Sequence, residues 1–282
     1  MKKANITFAI ALALSSTVLA EEKTDWAAAK TAYDAGKFTE AVPDIRKAAE
    51  AGDAEAQRHL GMMFAQGKGV TQDYKQAMEW FLKSANQDNA KAQVSISKYY
   101  LEGLGVAQDD QKALAWLRKA AEQGHASAQE NLGVFYFSGR GGVAQDYKQA
   151  LLWISKAANQ GEATAQTKMG VFYSQGYGVE RNDKLATEWY AKAAQQGDAQ
   201  AQSNLGLAYQ NGTGVEKNDK LAVEWNAKAA EQGHAVAQRM LGHMYFEGLG
   251  VAQDYPLAEK WTRKAAEQND AEAQKNLSVM YQ

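Results

Sequence analysis

The chain has 282 residues, 45% of them hydrophobic, with 31 Lys and Arg against 33 Asp and Glu. That apolar content excludes wholesale disorder, and the lack of a basic excess excludes nucleic acid as the main partner, since phosphate binding needs concentrated cations. Cysteine is absent, which excludes a disulfide framework, thiol catalysis and thiolate metal sites.

Residues 1–20 read as a secretory leader. Lys2 and Lys3 form a basic start, Ile6 to Leu14 an apolar run, and Val18-Leu19-Ala20 a processing site. The run is too short to span a bilayer, which takes about 20 apolar residues. Cleavage after Ala20 is expected, leaving Glu21 first and moving the net charge from −2 to −4. The expected location is the Gram-negative periplasm or the medium. Residues 21–53 read as an N-terminal helix pair, with Pro43 bending its second helix or delaying that helix's start.

A repeat follows. Tryptophans stand at 80, 116, 153, 189, 225 and 261, spaced by 36, 37, 36, 36 and 36 residues. The frame around them divides the chain into 54–89, 90–125, 126–162, 163–198, 199–234 and 235–270, with a capping half-repeat at 271–282. Each repeat reads as helix, loop, helix. The first helix carries Ala-x-Ala-Gln-x-x-Leu-Gly-x-x-Tyr, as in Ala199 to Tyr209. Its mid-helix glycine costs about 1 kcal/mol against alanine, so close approach of the partner helix is the expected reason for it. The Gly-x-Gly-Val loop stops the first helix, and Asp73, Asp109, Asp146, Asn182, Asn218 and Asp254 cap the second. That helix ends at a glycine, except where Asp88 and Asn269 stand and are expected to take the left-handed conformation.

This frame resembles the Sel1-like repeat family, a relative of the tetratricopeptide repeats. Leu-Gly-x-x-Tyr, Gly-x-Gly-Val, the cap Asp or Asn, the tryptophan and Lys192-Ala-Ala-x-Gln-Gly197 carry the resemblance over residues 54–282. Ile96-Ser97 and Phe64 depart from it. The pair before residue 54 lacks the long loop and the repeat tryptophan and resembles a tetratricopeptide unit. The resemblance implies an all-α, α/α solenoid coiled into a right-handed superhelix with a concave face. It also implies a non-enzymatic, monomeric protein without cofactor that binds another protein. Some exported relatives neutralise injected phospholipase toxins, so an immunity role is the alternative.

The residues themselves favour binding over chemistry. One tryptophan per repeat at one frame position reads as core packing. The Gly-x-Gly loops lack the strand and the Gly-Lys-Ser/Thr of a phosphate cradle. Ser95-x-x-Lys98 matches a β-lactam nucleophile motif without its companion elements, so a β-lactam hydrolase is a remote third reading. His59, His125, His234 and His243 show no metal-ligand spacing; His125 and His234 read as solvated turn residues. By resemblance to tetratricopeptide arrays, frame positions 2, 5, 9, 12 and 13 of the first helix face the groove. The expected partner-binding residues are Lys98, Leu101, Glu102, Val134, Phe137, Arg239, His243 and Phe246. Leu101 with Val134 and Phe137 would form one apolar patch, and Phe246 with Arg239 and His243 a second.

Overall fold

The structure is a computed structural model and describes residues 26–280. The expected leader and its cleavage site lie outside the described residues. A short helix α1 covers residues 26–34, and α2 spans Phe38–Glu50. Six helix pairs follow: α3 (Ala54–Gln66) and α4 (Tyr74–Ala85), α5 (Ala90–Glu102) and α6 (Asp110–Glu122), α7 (Ala126–Ser138) and α8 (Tyr147–Asn159), α9 (Ala163–Gln175) and α10 (Asp183–Gln195), α11 (Ala199–Asn211) and α12 (Asp219–Glu231), α13 (Ala235–Glu247) and α14 (Tyr255–Glu267). The unpaired helix α15 spans Ala271–Met280. No strand occurs among the described residues. Residues up to Ala128 form one compact unit and those from Gln129 a second.

Local chemistry sets the helix ends. Asp73 accepts from the backbone N–H of Lys75 at 2.9 Å and of Gln76 at 3.1 Å. Each of the other five expected caps likewise accepts from a first-turn N–H. Asp88 and Asn269 take φ of 61° and 65°, as expected for residues standing where the other repeats have glycine. Pro43 behaves differently from expectation. Helix α2 begins at Phe38, five residues before it, so the start is not delayed. Proline there removes one backbone bond, while buried Ala41, Ile45, Ala48 and Ala49 hold the helix against α3 and its surroundings.

Packing explains two glycines of the repeat frame. A Cβ on Gly170 of α9 would run into the ring of Tyr190 on α10. The second loop glycine has a double constraint. Gly105 sits at φ +67°, and a Cβ there would lie 2.7 Å from the Tyr74 backbone at the start of the preceding repeat's second helix.

The tryptophans depart from the simple core reading. Trp80 is 9% exposed, but Trp116, Trp153, Trp189, Trp225 and Trp261 are only half-buried. The fully buried positions belong instead to small alanines and to residues such as Leu60, Leu132, Leu205 and Leu241. Above each repeat tryptophan lies the lysine three residues on, as with Lys156 at 4.0 Å from Trp153 and Lys192 at 4.1 Å from Trp189. One turn of helix puts the ammonium over the ring face, where the ring quadrupole attracts it and the aliphatic stem covers apolar surface.

Candidate protein-binding surface

The first helix of each repeat presents frame positions 2, 9 and 13 outward. In the second unit, position 9 is apolar and open in three helices: Val134 is 38% exposed, Leu207 43% and Val279 59%. His243 holds the same position on α13 and is exposed. In the first unit the position carries Lys98, which is exposed and ion-paired with Glu102 one turn on at 3.9 Å. Leu101, on the same helix, is half-buried.

Position 12 is different. Phe137 is half-buried in a cluster of rings, its centroid 5.2 Å from Tyr147, 5.6 Å from Phe172 and 5.2 Å from Tyr177. Phe246 meets Tyr255 edge-on at 5.4 Å. These rings spend much of their surface holding a helix end to the next second helix, so each is open only in part. Leu101 belongs to the first unit, while Val134 and Phe137 belong to the second.

Position 5 joins neighbouring repeats. Arg239 pairs through Nε with Asp270 at 3.1 Å, the residue that caps α15. Glu130, 14% exposed, takes Lys168 at 2.6 Å and the Thr164 hydroxyl at 2.8 Å. Arg239 therefore does not join the expected second patch. His243 and Phe246 do come together, on a shallow cavity of about 170 Å³ with Thr262, Asn276 and Val279.

The histidines at the repeat junctions also correct the sequence reading. His234 is a helix N-cap, its Nδ1 accepting from the Ala237 N–H at 3.3 Å, and burial holds its pKa below the ordinary value. His125 caps α7 in the same way. Sequence reasoning missed this because histidine is a rare cap; the aligned Asp53, Asn89, Asp198 and Asp270 are the signal that could have found it.

A wider groove was also missed. It lies between α9 and α11, about 270 Å³ in volume, and includes second-helix and loop residues that a first-helix frame ignores. Its walls are Ser174, Asn204, Leu207 and Asn211, its floor Tyr190, and its rim Arg181 with Asp183.

The Ser95 hydroxyl donates to the Lys91 carbonyl at 3.1 Å, and Lys98 turns to Glu102. The two do not form a nucleophile–base pair. Among the described residues no group of three His, Asp or Glu side chains is placed to hold a metal, and no helix is long and apolar enough to cross a membrane.

Stacked helix–loop–helix repeats with open first-helix faces define a protein-interaction scaffold of the α/α solenoid class. The Sel1 repeat model matches residues 54–89, 90–125, 126–162, 163–198, 199–234 and 235–270. The chain belongs to the Sel1 repeat family. It is similar to a protective antigen present in uropathogenic Escherichia coli strains displaying an SLR fold, at 39% identity and TM-score 0.79 over 84% of this chain. It spans about half of that longer chain, 51%. It is also similar to a Sel1 repeat protein from Oxalobacter formigenes, at 31% identity and TM-score 0.78, covering 86% of this chain and 96% of that one. An immunity protein from Pseudomonas aeruginosa matches at 21% identity and TM-score 0.48 over 76% of this chain and 81% of its own, too distant to carry a function. No curated protein matches significantly.

Proposed function

We propose that the protein is an exported, non-enzymatic adaptor that binds another protein through the first-helix face of its repeats. The observation that carries this is the set of open apolar side chains Val134, Leu207 and Val279, which share one frame position on α7, α11 and α15. Apolar side chains repeated at one exposed position leave about half of their surface open, and such surfaces are used in recognition. Export rests on the leader-like residues 1–20.

A photo-crosslinking residue placed at Leu207 tests the binding face, with one at Leu152 on α8 as control, since that residue is 45% exposed. In living cells a discrete adduct is expected from position 207 and none from 152. Equal adducts from both, or none from 207, overturn the reading. Fractionation of the same cells tests export: the chain should leave the cytoplasm with Glu21 at its N-terminus, and a full-length cytoplasmic chain contradicts it.

A further inference from the structure

The groove between α9 and α11 has a small side chain at one corner of its lining. At frame position 12, α7 and α13 carry Phe137 and Phe246, and the equivalent space beside α13, with Phe246 on its lining, is smaller at about 170 Å³. On α9 the position is Ser174. The space below is floored by Tyr190, which stands on α10 where the other second helices carry Phe81, Leu117, Ile154, Asn226 and Thr262. Tyr190 is 8% exposed, and its hydroxyl reaches Ser174 at 3.3 Å. The Ser174 hydroxyl also faces the Val171 carbonyl at 3.0 Å. With its proton there, Ser174 accepts from Tyr190, and the phenol oxygen keeps acceptor capacity toward the groove.

The wall has a pattern. Asn204, Leu207 and Asn211 lie at i, i+3 and i+7 of α11, one face of one helix. The Asn204 side-chain oxygen is occupied by the Gln200 amide at 3.0 Å, so its NH2 group is the free end. Asn211 is exposed and makes no side-chain hydrogen bond among the described residues. Between them Leu207 is 43% exposed. The two charges on the rim neutralise each other, Arg181 holding Asp183 through two bonds of 2.9 Å. The groove therefore offers carboxamide, apolar surface, carboxamide and a phenol acceptor, with no net charge.

Carboxamides both donate to and accept from a peptide backbone, and spaced along an apolar strip they match the alternating polar and apolar sides of an extended chain. The lack of net charge matches a neutral segment and disfavours a phosphate, a carboxylate terminus or a basic stretch. The geometry points to this groove as the seat of an extended, uncharged peptide segment of the partner, with one aliphatic side chain packed on Leu207 beneath Asn204 and Asn211. This deepens the proposed function and rests on it.

The array supplies its own test. Ser174→Phe installs the residue that α7 and α13 already carry at this frame position, so the fold should accept it while the groove narrows toward the smaller cavity beside Phe246. The probe is a phage-displayed library of linear dodecapeptides selected on the full chain, the best peptide then being synthesised and titrated by fluorescence anisotropy. The expected peptides are neutral with a central aliphatic residue. Ser174→Phe should weaken their binding at least about tenfold, and exposed Asn211→Ala, which cannot unfold the chain, at least about threefold. Failure to select a peptide, selection of charged peptides, or unchanged binding by both variants overturns the groove assignment. If the Leu207 crosslink persists in Ser174→Phe, the groove is wrong and the adaptor reading stands; if no crosslink forms in the wild type, the adaptor reading itself falls.

Discussion

The amide of Gln232 donates to the side-chain oxygen of Gln202 at 2.8 Å, while the Gln202 amide donates to the Ala194 carbonyl at 3.1 Å. One buried side chain thus ties the end of one repeat's second helix to the first helix of the next and to the turn that closes that repeat. The arrangement recurs as Gln57 with Ala49 and Gln87, Gln93 with Ala85 and Gln123, Gln166 with Ala158 and Gln196, and Gln238 with Ala230 and Gln268. Gln202 is 4% exposed, so its removal deletes two largely buried hydrogen bonds, although the Ala194 carbonyl keeps the Gly197 N–H at 3.1 Å. Gln202→Leu should destabilise the chain by about 1–3 kcal/mol, read from urea melts. A change within error would mean that the ladder decorates the interface without holding it.

Asn226 should behave in the opposite sense. It is fully buried on α12, its side-chain oxygen has no partner, and its amide meets only the Met244 sulfur at 3.8 Å. The equivalent position on α6 is Leu117, 1% exposed. Asn226→Leu should stabilise by about 1–2 kcal/mol by removing an unsatisfied buried acceptor. A lower melting temperature would show that the space beside Gly206 is too tight for leucine.

Two tryptophan variants test the packing. Trp80 is nearly buried and Trp189 half-exposed. Trp80→Ala should cost roughly 3–5 kcal/mol, as for an emptied aromatic core site, and Trp189→Ala about 2 kcal/mol. Equal costs would mean that the lysine lid over Trp189 seals it as completely as burial does.

Acid should loosen the N-terminal end. His59 is 5% exposed, with the edges of Trp26 and Tyr33 at 5.0 and 5.2 Å, its Nδ1 on the Glu55 carbonyl at 2.8 Å, and Arg58 at 3.2 Å. Burial, reinforced by the Arg58 charge, holds its pKa below the ordinary value, although the Glu55 carbonyl and carboxylate pull the other way. An unfolded chain takes up this proton near pH 6.5 and the folded one resists. The contribution is therefore full above about pH 6.5, falls as the pH drops toward the folded value, and is gone below it. Urea midpoints at pH 7.5 and 5.5 should differ in the wild type, and the difference should shrink in His59→Gln. An unchanged slope in that variant would place the acid sensitivity elsewhere, with His234 the next candidate since burial lowers its pKa too.

What the sequence by itself determined is what lies within a few residues. The 36-residue period, the caps at Asp73 or Asn218, the glycine stops and the left-handed Asp88 and Asn269 all depend on backbone groups three or four positions away. The open faces of Lys98, Val134 and His243 were legible too, because a helix frame fixes which positions share a face. The tertiary structure alone decided how those faces are used. Gln57 reads as one more polar residue until Ala49 and Gln87 close around it, and the second loop glycine reads as a turn residue until the preceding helix presses on Gly105. Nor does a frame position reveal that Tyr177 or Asp270, 31 to 40 residues on in the sequence, will cover part of Phe137 and Arg239. The groove at Ser174 is visible only once Tyr190 stands beneath it, since a cavity is a property of packed neighbours and not of any one helix.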